Sequence, residues 1–431
     1  MAASAYLKIL PSVSMFDAPV KVLVSGLASG QRVSIRCNVG NAQTGADFES
    51  RAQFIADDSG AIDCDRAEAV GGTFTGIHPM GLFWSLKPSA NSKREARLLP
   101  INATSPLSYA FTLTDPTDRT LAQTRCHRYF LHPRVNRQEV QHGRIRGTLF
   151  VPSPVDSNSK MPAIIDLYGT RGGLNETRAS MMASHGFVTL ALAYFNYKDL
   201  PTSLDDLELE YFEEAIQMVL EHPQVLKDGV GVIGTSFGAE LALLMASYFS
   251  QVQAVVSING LHMLDAFNPI SYKGHPLPTV SADASVMELV DGHLRYRTYR
   301  SHLPSDPEFV FPIERSRSQF LFLASEDDHS TPADLSYSAL MQRLRGHGKE
   351  GRGELCILPG AGHLLEPPYT PHTAALFHKV VGAPMIFGGE PKAHALAQEL
   401  AWKKALHFFS EYLGTPATLS PSETLNVNSK L

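Results

Sequence analysis

The segment GVGVIGTSFGAELALLMASY, residues 229–248, holds the pattern on which the fold prediction depends. Residues 229–233 form a short apolar run typical of a buried strand, and residues 237–248 have the length and composition of a buried helix. Between them lies GTSFG, residues 234–238, whose two glycines permit a tight turn that lifts the hydroxyl of Ser236 above the sheet. Gly-x-Ser-x-Gly is a weak motif by itself, but the strand–turn–helix setting predicts a nucleophilic serine.

The same alternation of strands and helices continues on both sides of this segment. Apolar runs typical of buried strands occur at residues 162–168, 186–193, 254–258, 319–324 and 354–358. Residues 176–185 and 204–221 have helical spacing between such runs. Strands that alternate with helices in this way predict βαβ units and a mostly parallel sheet covered on both faces. The fold class is therefore α/β for this part of the chain.

Residues 1–137 follow a different pattern. Short apolar or alternating runs lie at residues 21–27, 31–39, 51–55, 80–86 and 108–114, separated by turn-rich breaks. No amphipathic stretch among them is long enough for a convincing helix, and short strands at this spacing predict an all-β, immunoglobulin-like sandwich. The polar stretch 134–143 is interpreted as the connection to the α/β domain.

Composition excludes several classes of protein. The 431 residues allow two or three domains, and 44% hydrophobic with 19% charged residues is ordinary for a globular chain, not for a disordered, collagenous or coiled-coil one. A net charge of −6 gives no general footprint for nucleic acid. The four cysteines form no C-x-x-C pair, so neither a disulfide framework nor a thiolate zinc site is predicted. No apolar run reaches the 18 residues expected of a membrane span.

A nucleophilic serine needs a histidine base, and in this kind of site the chain order is serine, acid, histidine, each partner following a strand. The run at 354–358 ends in PGAGH, residues 359–363. His363 thus follows a Gly-rich turn just past a late strand, and we predict that it is the base. Other histidines, His127, His132 and His329 among them, are interpreted as ordinary surface or core residues, because none has convincing metal-ligand spacing.

The orienting carboxylate should follow an earlier strand. The run at 319–325 ends in EDDH, residues 326–329. Asp327 and Asp328 both satisfy the order and the placement, and the residues alone do not choose between them.

Stabilisation of an oxyanion should come from two backbone segments. The N–H of Phe237 opens the helix after the nucleophile and is one natural donor. The second donor is expected from the loop 169–173, where Gly169, Thr170 and Arg171 follow an early strand.

The C-terminal residues predict a location in the cell. The chain stops at Ser429-Lys430-Leu431, a tripeptide read by the peroxisomal import receptor, whereas the first residues lack the basic start and apolar run of a signal peptide. Residues 419–431, rich in Ser, Thr and Asn, are expected to form a flexible tail. We therefore predict a peroxisomal protein that binds this receptor.

Several longer stretches of the chain resemble one family. They are IDLYGT at 165–170, ALAYFNY at 191–197, FLASEDDH at 322–329, HLLEPPY at 363–369 and GGEPKAHA at 388–395. In these stretches the chain is similar to the type I acyl-CoA thioesterases and to their sister branch, the bile acid-CoA:amino acid N-acyltransferases. The resemblance implies a β-sandwich over 1–137, an α/β-hydrolase domain over 138–418 and the tail 419–431.

The resemblance also implies a catalytic triad of Ser236, Asp328 and His363, and so favours Asp328 over its neighbour. Family members commonly carry Lys at the position of Phe237 and Gly at that of Arg171. These departures put the acyl-chain preference in doubt. The acyltransferase branch typically carries Cys at position 236, whereas the thioesterases carry Ser, so the resemblance implies hydrolysis.

The expected function is hydrolysis of fatty acyl-CoA through an acyl-serine intermediate, with no metal and no organic cofactor, since coenzyme A belongs to the substrate. The first alternative is N-acyl transfer from acyl-CoA to glycine or taurine. A non-catalytic acyl-CoA binder and a general esterase are further alternatives, because a triad does not itself specify sulfur over oxygen.

Overall fold

The computed structural model describes residues 4–41, 45–93, 96–100, 102–153, 159–304 and 306–419. The described chain divides into two compact units: the first extends to His132 and also takes in Pro367–Thr373, and the second comprises the rest. The predicted targeting residues Ser429, Lys430 and Leu431 lie outside the described residues.

The first unit is built from two β-sheets, in agreement with the predicted sandwich. Its strands are β1 (Tyr6–Leu10), β2 (Val13–Met15), β3 (Lys21–Ser25), β4 (Arg32–Asn41), β5 (Ala46–Ile55), β6 (Ile62–Asp63), β7 (Gly71–Gly72), β8 (Lys87–Pro88), β9 (Leu107–Thr114) and β10 (Thr120–Tyr129). The smaller sheet has the order β1-β3-β6, and the larger has the order β2-β10-β9-β4-β5-β7, with β8 also paired to β5. Buried and exposed residues alternate along β1 and β5, so one face of each strand packs on the core.

One run in this unit was expected to be a strand and is not. Residues 80–86 contain the short helix α1 (Gly81–Trp84), whose four residues are all buried. A fully buried apolar run carries neither the period of a strand nor that of a helix, so its pattern could not distinguish the two. The Phe74 ring lies where a Cβ of Gly81 would be, within 2.3 Å, and this close approach requires glycine.

The second unit is organised around one eight-stranded sheet of order β11-β12-β14-β13-β15-β16-β23-β24. Its strands are β11 (Val135–His142), β12 (Ile145–Pro152), β13 (Met161–Leu167), β14 (Val188–Ala193), β15 (Val225–Thr235), β16 (Val252–Ile258), β23 (Gln319–Ser325) and β24 (Gly353–Leu358). The pairs β11–β12 and β12–β14 are antiparallel, and the others are parallel. The prediction of a mostly parallel sheet is confirmed. Every residue of β13 and β14 is buried, as expected for strands covered on both faces.

The polar stretch 134–143 is a strand, β11, rather than the predicted connection. It lies at the edge of the sheet and pairs with β12 alone, so Val135 and Val140 are buried while most of its other side chains remain exposed. An edge strand of this kind has the composition of a loop. The expected domain boundary at residue 137 falls inside β11, and the two compact units divide before Pro133.

Helices flank the sheet of the second unit. They are α2 (Thr177–Ser184), α3 (Glu210–Glu221), α4 (Phe237–Tyr248), α5 (Tyr296–Ser301), α6 (Ala333–Gly346) and α7 (Pro391–Leu413), with 3₁₀ turns at Ala284–Val286, Ile313–Arg315 and Glu350–Arg352. Helix α4 packs on β15 and β16, and α6 packs on β23 and β24. Residues 237–246 of α4 are all buried, so the helix that follows Ser236 lies inside the core.

Short strands in the second unit were not predicted. They are β17 (Leu264–Asp265), β18 (Ser271–Tyr272), β19 (His275–Pro276), β20 (Thr279–Val280), β21 (Glu288–Val290), β22 (His293–Arg295), β25 (Ala375–His378) and β26 (Ala383–Ile386). The last four of these form a small sheet of order β21-β22-β26-β25. Segments of two to four residues are too short to show a period, so the sequence pattern does not reveal them.

Candidate active site

Ser236 occupies a strained turn between β15 and α4. Its φ of 58° and ψ of −128° lie outside the regions that a residue with a side chain ordinarily adopts. Its N–H donates to the carbonyl of Ile258, 2.9 Å away, which ties the turn to the neighbouring strand β16. A Cβ on Gly234 would lie 2.0 Å from the carbonyl oxygen of Gly238, so the flanking glycines allow the chain to fold back this tightly. This is the geometry of a nucleophile elbow.

The residues predicted as partners lie at the same edge of the sheet. Ser236 directly follows β15, Asp328 follows β23 and His363 follows β24. These strands are parallel members of one sheet, so their carboxyl ends meet at one edge, where α/β proteins bind ligands. The structure therefore places all three predicted triad residues on loops above that edge.

Asp328 and His363 form a buried pair. The Nδ1 atom of His363 lies 2.7 Å from Oδ2 of Asp328, and the side chains of His363 and Asp328 are 3% and 0% exposed. The other carboxylate oxygen, Oδ1, accepts hydrogen bonds from the N–H groups of Ser330 (2.7 Å) and Thr331 (2.8 Å). With Nδ1 donating to Asp328, Nε2 of the neutral imidazole is left to accept a proton.

Asp327 has a different set of partners. Its Oδ2 accepts a hydrogen bond from the N–H of Gly389 at 2.9 Å, and its Oδ1 lies 3.0 Å from Nε2 of His329. The His329 ring also lies 3.1 Å from the guanidinium of Arg295. Asp327 therefore holds a neighbouring loop together, and it is Asp328 that contacts His363. His329 is a structural residue, as expected.

Asn259 supports the loop that carries His363, and it was not predicted from the sequence. It is fully buried, adopts a φ of 53°, and donates through Nδ2 to the carbonyl of His363 and to Oγ of Ser325, both at 2.9 Å. Its Oδ1 accepts a hydrogen bond from the N–H of Ser325 at 2.8 Å. Asn259 thereby joins the ends of β16 and β23 to the loop of His363. An asparagine directly after a buried strand and before Gly260 is the signal that could have found it, because Asn tolerates positive φ.

Two backbone N–H groups are candidates to stabilise an oxyanion: that of Phe237 and that of Thr170 in residues 169–173, the loop after β13, here called the oxyanion loop. The N–H of Phe237 belongs to the first residue of α4 and has no partner within the helix, at its positive end. In the loop after β13, the hydroxyl of Tyr194 donates to the carbonyls of Tyr168 and Gly169. Because a trans peptide places its C=O and N–H on opposite sides, this bond to the Gly169 carbonyl turns the Thr170 N–H away from Tyr194.

Gly169 lies directly beside Ser236. A Cβ on Gly169 would be 2.9 Å from Cβ and 3.3 Å from Oγ of Ser236, so a side chain there would crowd the serine. Oγ1 of the next residue, Thr170, lies 3.1 Å from Nε2 of His378. His378 is buried and was not predicted as a site residue. Arg171 is exposed. The predicted loop thus lies next to Ser236.

Comparison with known proteins identifies the family. Two family models match the chain. The model described as "Acyl-CoA thioester hydrolase/BAAT N-terminal region" matches residues 17–142, and the model described as "BAAT / Acyl-CoA thioester hydrolase C terminal" matches residues 207–415. A protein of Homo sapiens named "Acyl-coenzyme A thioesterase 2, mitochondrial" is 42% identical over 416 residues, which cover 95% of this chain and 84% of the relative. This chain belongs to the acyl-CoA thioester hydrolase/BAAT family.

Members of the family with two different named activities are almost equally similar to the chain. "Acyl-coenzyme A amino acid N-acyltransferase 1" of Mus musculus is 40% identical over 411 residues, covering 94% of this chain and 96% of the relative. "Peroxisomal succinyl-coenzyme A thioesterase" of Mus musculus is 39% identical over 409 residues, covering 93% and 95%. Overall identity therefore does not separate hydrolysis from acyl transfer in this family.

Two basic residues, Arg178 and Lys198, differ in their surroundings. Arg178 is 2% exposed, and its guanidinium donates to Oδ1 of Asp166 at 2.9 Å and to Oγ1 of Thr235 at 2.6 Å. Arg178 thus links the ends of β13 and β15 next to the serine turn. Because its guanidinium is buried and paired, it is not available to bind a phosphate of CoA. Lys198 pairs with Glu139 at the surface.

Phe237, which stands where family members commonly carry Lys, packs in the core. Its ring is fully buried and lies 6.3 Å from that of Tyr194. The side chain therefore packs beneath the oxyanion loop, while its N–H remains at the start of α4. Burial raises the pKa of Tyr194, which keeps its hydroxyl protonated as a donor to the loop.

Across the described ranges, no three His, Cys, Asp or Glu side chains are grouped so that they could bind a metal ion. None of the helices in those ranges combines the length and apolar character needed to cross a bilayer.

Proposed function

We propose that this chain hydrolyses acyl-CoA thioesters, with Ser236 as nucleophile, His363 as general base and Asp328 as the residue that orients the histidine. The buried 2.7 Å contact between His363 and Asp328, at the same sheet edge as the strained Ser236 turn, is the observation that carries the proposal. Membership of the thioester hydrolase family supports the substrate class.

In the first step, Oγ of Ser236 bonds to the carbonyl carbon of the thioester while its proton passes to Nε2 of His363. The N–H groups of Phe237 and Thr170 stabilise the oxyanion that develops on the carbonyl oxygen. Collapse of the adduct breaks the carbon–sulfur bond, and coenzyme A leaves with the proton from His363. A thiol of pKa about 8.5, by analogy with cysteine, is a good leaving group, so acid assistance is less demanding than in a protease.

In the second step, water attacks the acyl-serine. His363 takes one proton from the water as its oxygen bonds to the carbonyl carbon, and the bond to Oγ of Ser236 then breaks as that oxygen regains the proton. The products are a carboxylic acid and the free enzyme. We propose that neither step uses a metal or an organic cofactor.

Transfer to an amino acid is the second candidate, and the chemistry of Ser236 bears on it. An acyl-cysteine remains a thioester, which an amine attacks readily. An acyl-serine is an oxygen ester, which reacts less readily with amines and is more naturally resolved by water that His363 activates. Serine at position 236 therefore favours hydrolysis over transfer to glycine or taurine.

One assay tests both candidates. Purified protein is mixed with a panel of acyl-CoAs, with and without glycine and taurine, and free CoA thiol and acyl products are measured by thiol titration and mass spectrometry. We expect CoA release with a free acid as the main product, and loss of at least about 10³-fold in rate for Ser236→Ala. An amide as the main product, or full activity in Ser236→Ala, would contradict the proposal. Ser203→Ala, at an exposed serine, is the matched control.

We further propose that the chain is imported into peroxisomes through Ser429-Lys430-Leu431. One relative is named as peroxisomal and another as mitochondrial, so family membership alone leaves the compartment open. Imaging of the chain with a fluorescent protein fused to its N-terminus should give peroxisomal puncta, and deletion of residues 429–431 should leave the signal diffuse. Puncta that survive the deletion would refute the role of the tripeptide.

A further inference from the structure

His378, at the end of β25, has hydrogen-bonding contacts at both ring nitrogens. Its side chain is buried, and Nδ1 accepts a hydrogen bond from the N–H of Val381 at 3.2 Å. Its Nε2 lies 3.1 Å from Oγ1 of Thr170. The chain separation between Thr170 and His378 is 208 residues, so the fold alone brings this histidine to the loop beside Ser236.

These contacts determine the direction of the bond to Thr170. A nitrogen that accepts from a backbone N–H carries no proton, so Nδ1 is the bare nitrogen. The neutral ring then carries its proton on Nε2 and donates it to Oγ1 of Thr170. Burial, together with the positive charges of Arg300 and Arg171, lowers the pKa of His378 to about 4, so the ring is neutral at ordinary working pH.

The direction of this bond leaves the threonine proton available. A hydroxyl has one proton and two lone pairs, and here one lone pair is taken by His378. Among the residues that the structure describes, His378 is the one hydrogen-bond partner of this hydroxyl. The adjacent residue, Gly169, lies against Ser236. The hydroxyl proton of Thr170 therefore has no acceptor within the described chain, and Thr170 directly follows the glycine that lies against Ser236.

We propose that the Thr170 hydroxyl, held by His378, donates a hydrogen bond to the acyl carbonyl oxygen as it becomes an oxyanion. Thr170 is then a catalytic residue through its side chain as well as its N–H, and His378 is a positioning residue that acts through it. The proposal rests on the hydrolase activity proposed above. A purely structural contact, in which the pair only fastens the β25–β26 segment to the loop, is the alternative that the test must separate.

Removal of the hydroxyl is the first test. Thr170→Val keeps the shape of the side chain and deletes the donor, and we expect kcat for acyl-CoA to fall by about 10- to 100-fold with KM changed less than about threefold, since the bond forms in the transition state. Thr170→Ser keeps the hydroxyl and should recover most of the lost kcat. Thr202→Val, at an exposed threonine, is the matched control.

A double-mutant cycle tests the role of His378. His378→Phe keeps a ring but removes both hydrogen bonds, and we expect it to lower kcat in the wild-type background and to change it less than about twofold in the Thr170→Val background. A histidine that acts on the site independently of Thr170 would lower kcat equally in both, and the contrast of Thr170→Ser with Thr170→Val in kcat and KM separates oxyanion donation from a purely structural contact. His275→Phe, at an exposed histidine, is the control. Melting curves establish that each variant is folded; if His378→Phe is not, the comparison of Thr170→Val with Thr170→Ser decides alone.

The outcomes separate this proposal from the function on which it rests. If the wild-type chain releases no CoA from any acyl-CoA, the hydrolase proposal fails. If the wild-type chain is active and Thr170→Val retains kcat within about twofold, or loses only affinity, the hydroxyl is not an oxyanion donor and the inference is overturned while the hydrolase proposal stands.

Discussion

Asp327 and Asp328 are neighbours in the chain, yet it is Asp328 whose carboxylate lies 2.7 Å from Nδ1 of His363, while Asp327 accepts from the N–H of Gly389. Two identical side chains one residue apart therefore have different roles. Asp328 is buried among donors, and Asp327 has a side chain that is 46% exposed.

This difference predicts unequal effects of one substitution. Asp328→Asn replaces the acceptor of the histidine proton with an amide that can favour the wrong tautomer, and we expect kcat to fall by roughly 10³- to 10⁴-fold. Asp327→Asn should cost less than about tenfold, because Asp327 contacts Gly389 and His329 and not His363. Steady-state kinetics on acyl-CoA check both. Equal losses in the two variants would refute the assignment of Asp328 to His363.

A change of nucleophile should shift the products. In Ser236→Cys the intermediate becomes a thioester, which amines attack readily, so the ratio of amide to free acid formed with glycine or taurine should rise above that of the wild-type chain. Mass spectrometry of the products measures this ratio. An unchanged ratio would mean that the nucleophile does not control the choice between water and amine.

Asn259 should stabilise both the fold and the position of His363. Asn259→Asp keeps a residue that tolerates positive φ but replaces the Nδ2 donor, so the carbonyl of His363 loses a buried hydrogen bond at a cost of about 1–3 kcal/mol. We expect a lower Tm and a lower kcat. Asn196→Asp, at an exposed asparagine that also has positive φ, is the control for Tm and should change it little. Equal Tm values for both variants would contradict this role.

The close approach of Gly169 to Ser236 predicts a steric effect. In Gly169→Ala the new methyl would lie 2.9 Å from Cβ of Ser236, so either the oxyanion loop or the serine must shift. We expect kcat to fall by at least about tenfold, since small displacements of catalytic groups have large effects on rate. Gly346→Ala introduces the same methyl where no atom lies within 4 Å, and it should leave kcat unchanged. Wild-type kcat in Gly169→Ala would show that the loop is not close to the reacting atoms.

Glu240 should make stability depend on pH. It lies on α4, one turn after Ser236, is 1% exposed, and has an Oε2 atom with no hydrogen-bond partner in the described chain. Burial raises its pKa to about 8, although the charge of Arg300 opposes this shift. The folded state thus holds a proton that the unfolded state releases above its ordinary pKa of about 4.3.

The sign follows from proton linkage. Between these two pKa values the folded state binds more protons, so the free energy of unfolding should decrease as pH rises, by about 1.4 kcal/mol per pH unit from this group. Glu240→Gln removes this dependence and should raise Tm at pH 8 relative to the wild-type chain, with a smaller difference at pH 5. Denaturation at several pH values measures it. A Tm difference independent of pH would contradict a buried, protonated Glu240.

The strand and helix pattern of the second unit was predictable because it is local. The Ser236 turn depends on glycines two positions away, and the apolar run before it and the helix after it can be recognised within a short window. Predictions failed where the local pattern was ambiguous: residues 81–84 are a buried helix of four residues, and β11 is a polar edge strand. In both, contacts with other parts of the chain decide the conformation.

Local patterns in the chain were enough to predict the α/β class, the serine turn at residues 234–238 and the order in which Ser236, the acidic residues and His363 follow their strands. The contacts between distant loops come from the fold: Asp328 meets His363 across 35 residues, where the residues alone left Asp327 equally possible, Asn259 supports the His363 loop across 104 residues, and His378 reaches Thr170 across 208 residues. The physical reason is the range of the interactions. A tight turn is specified by neighbouring residues, whereas a hydrogen bond between loops depends on the packing of every strand and helix between them.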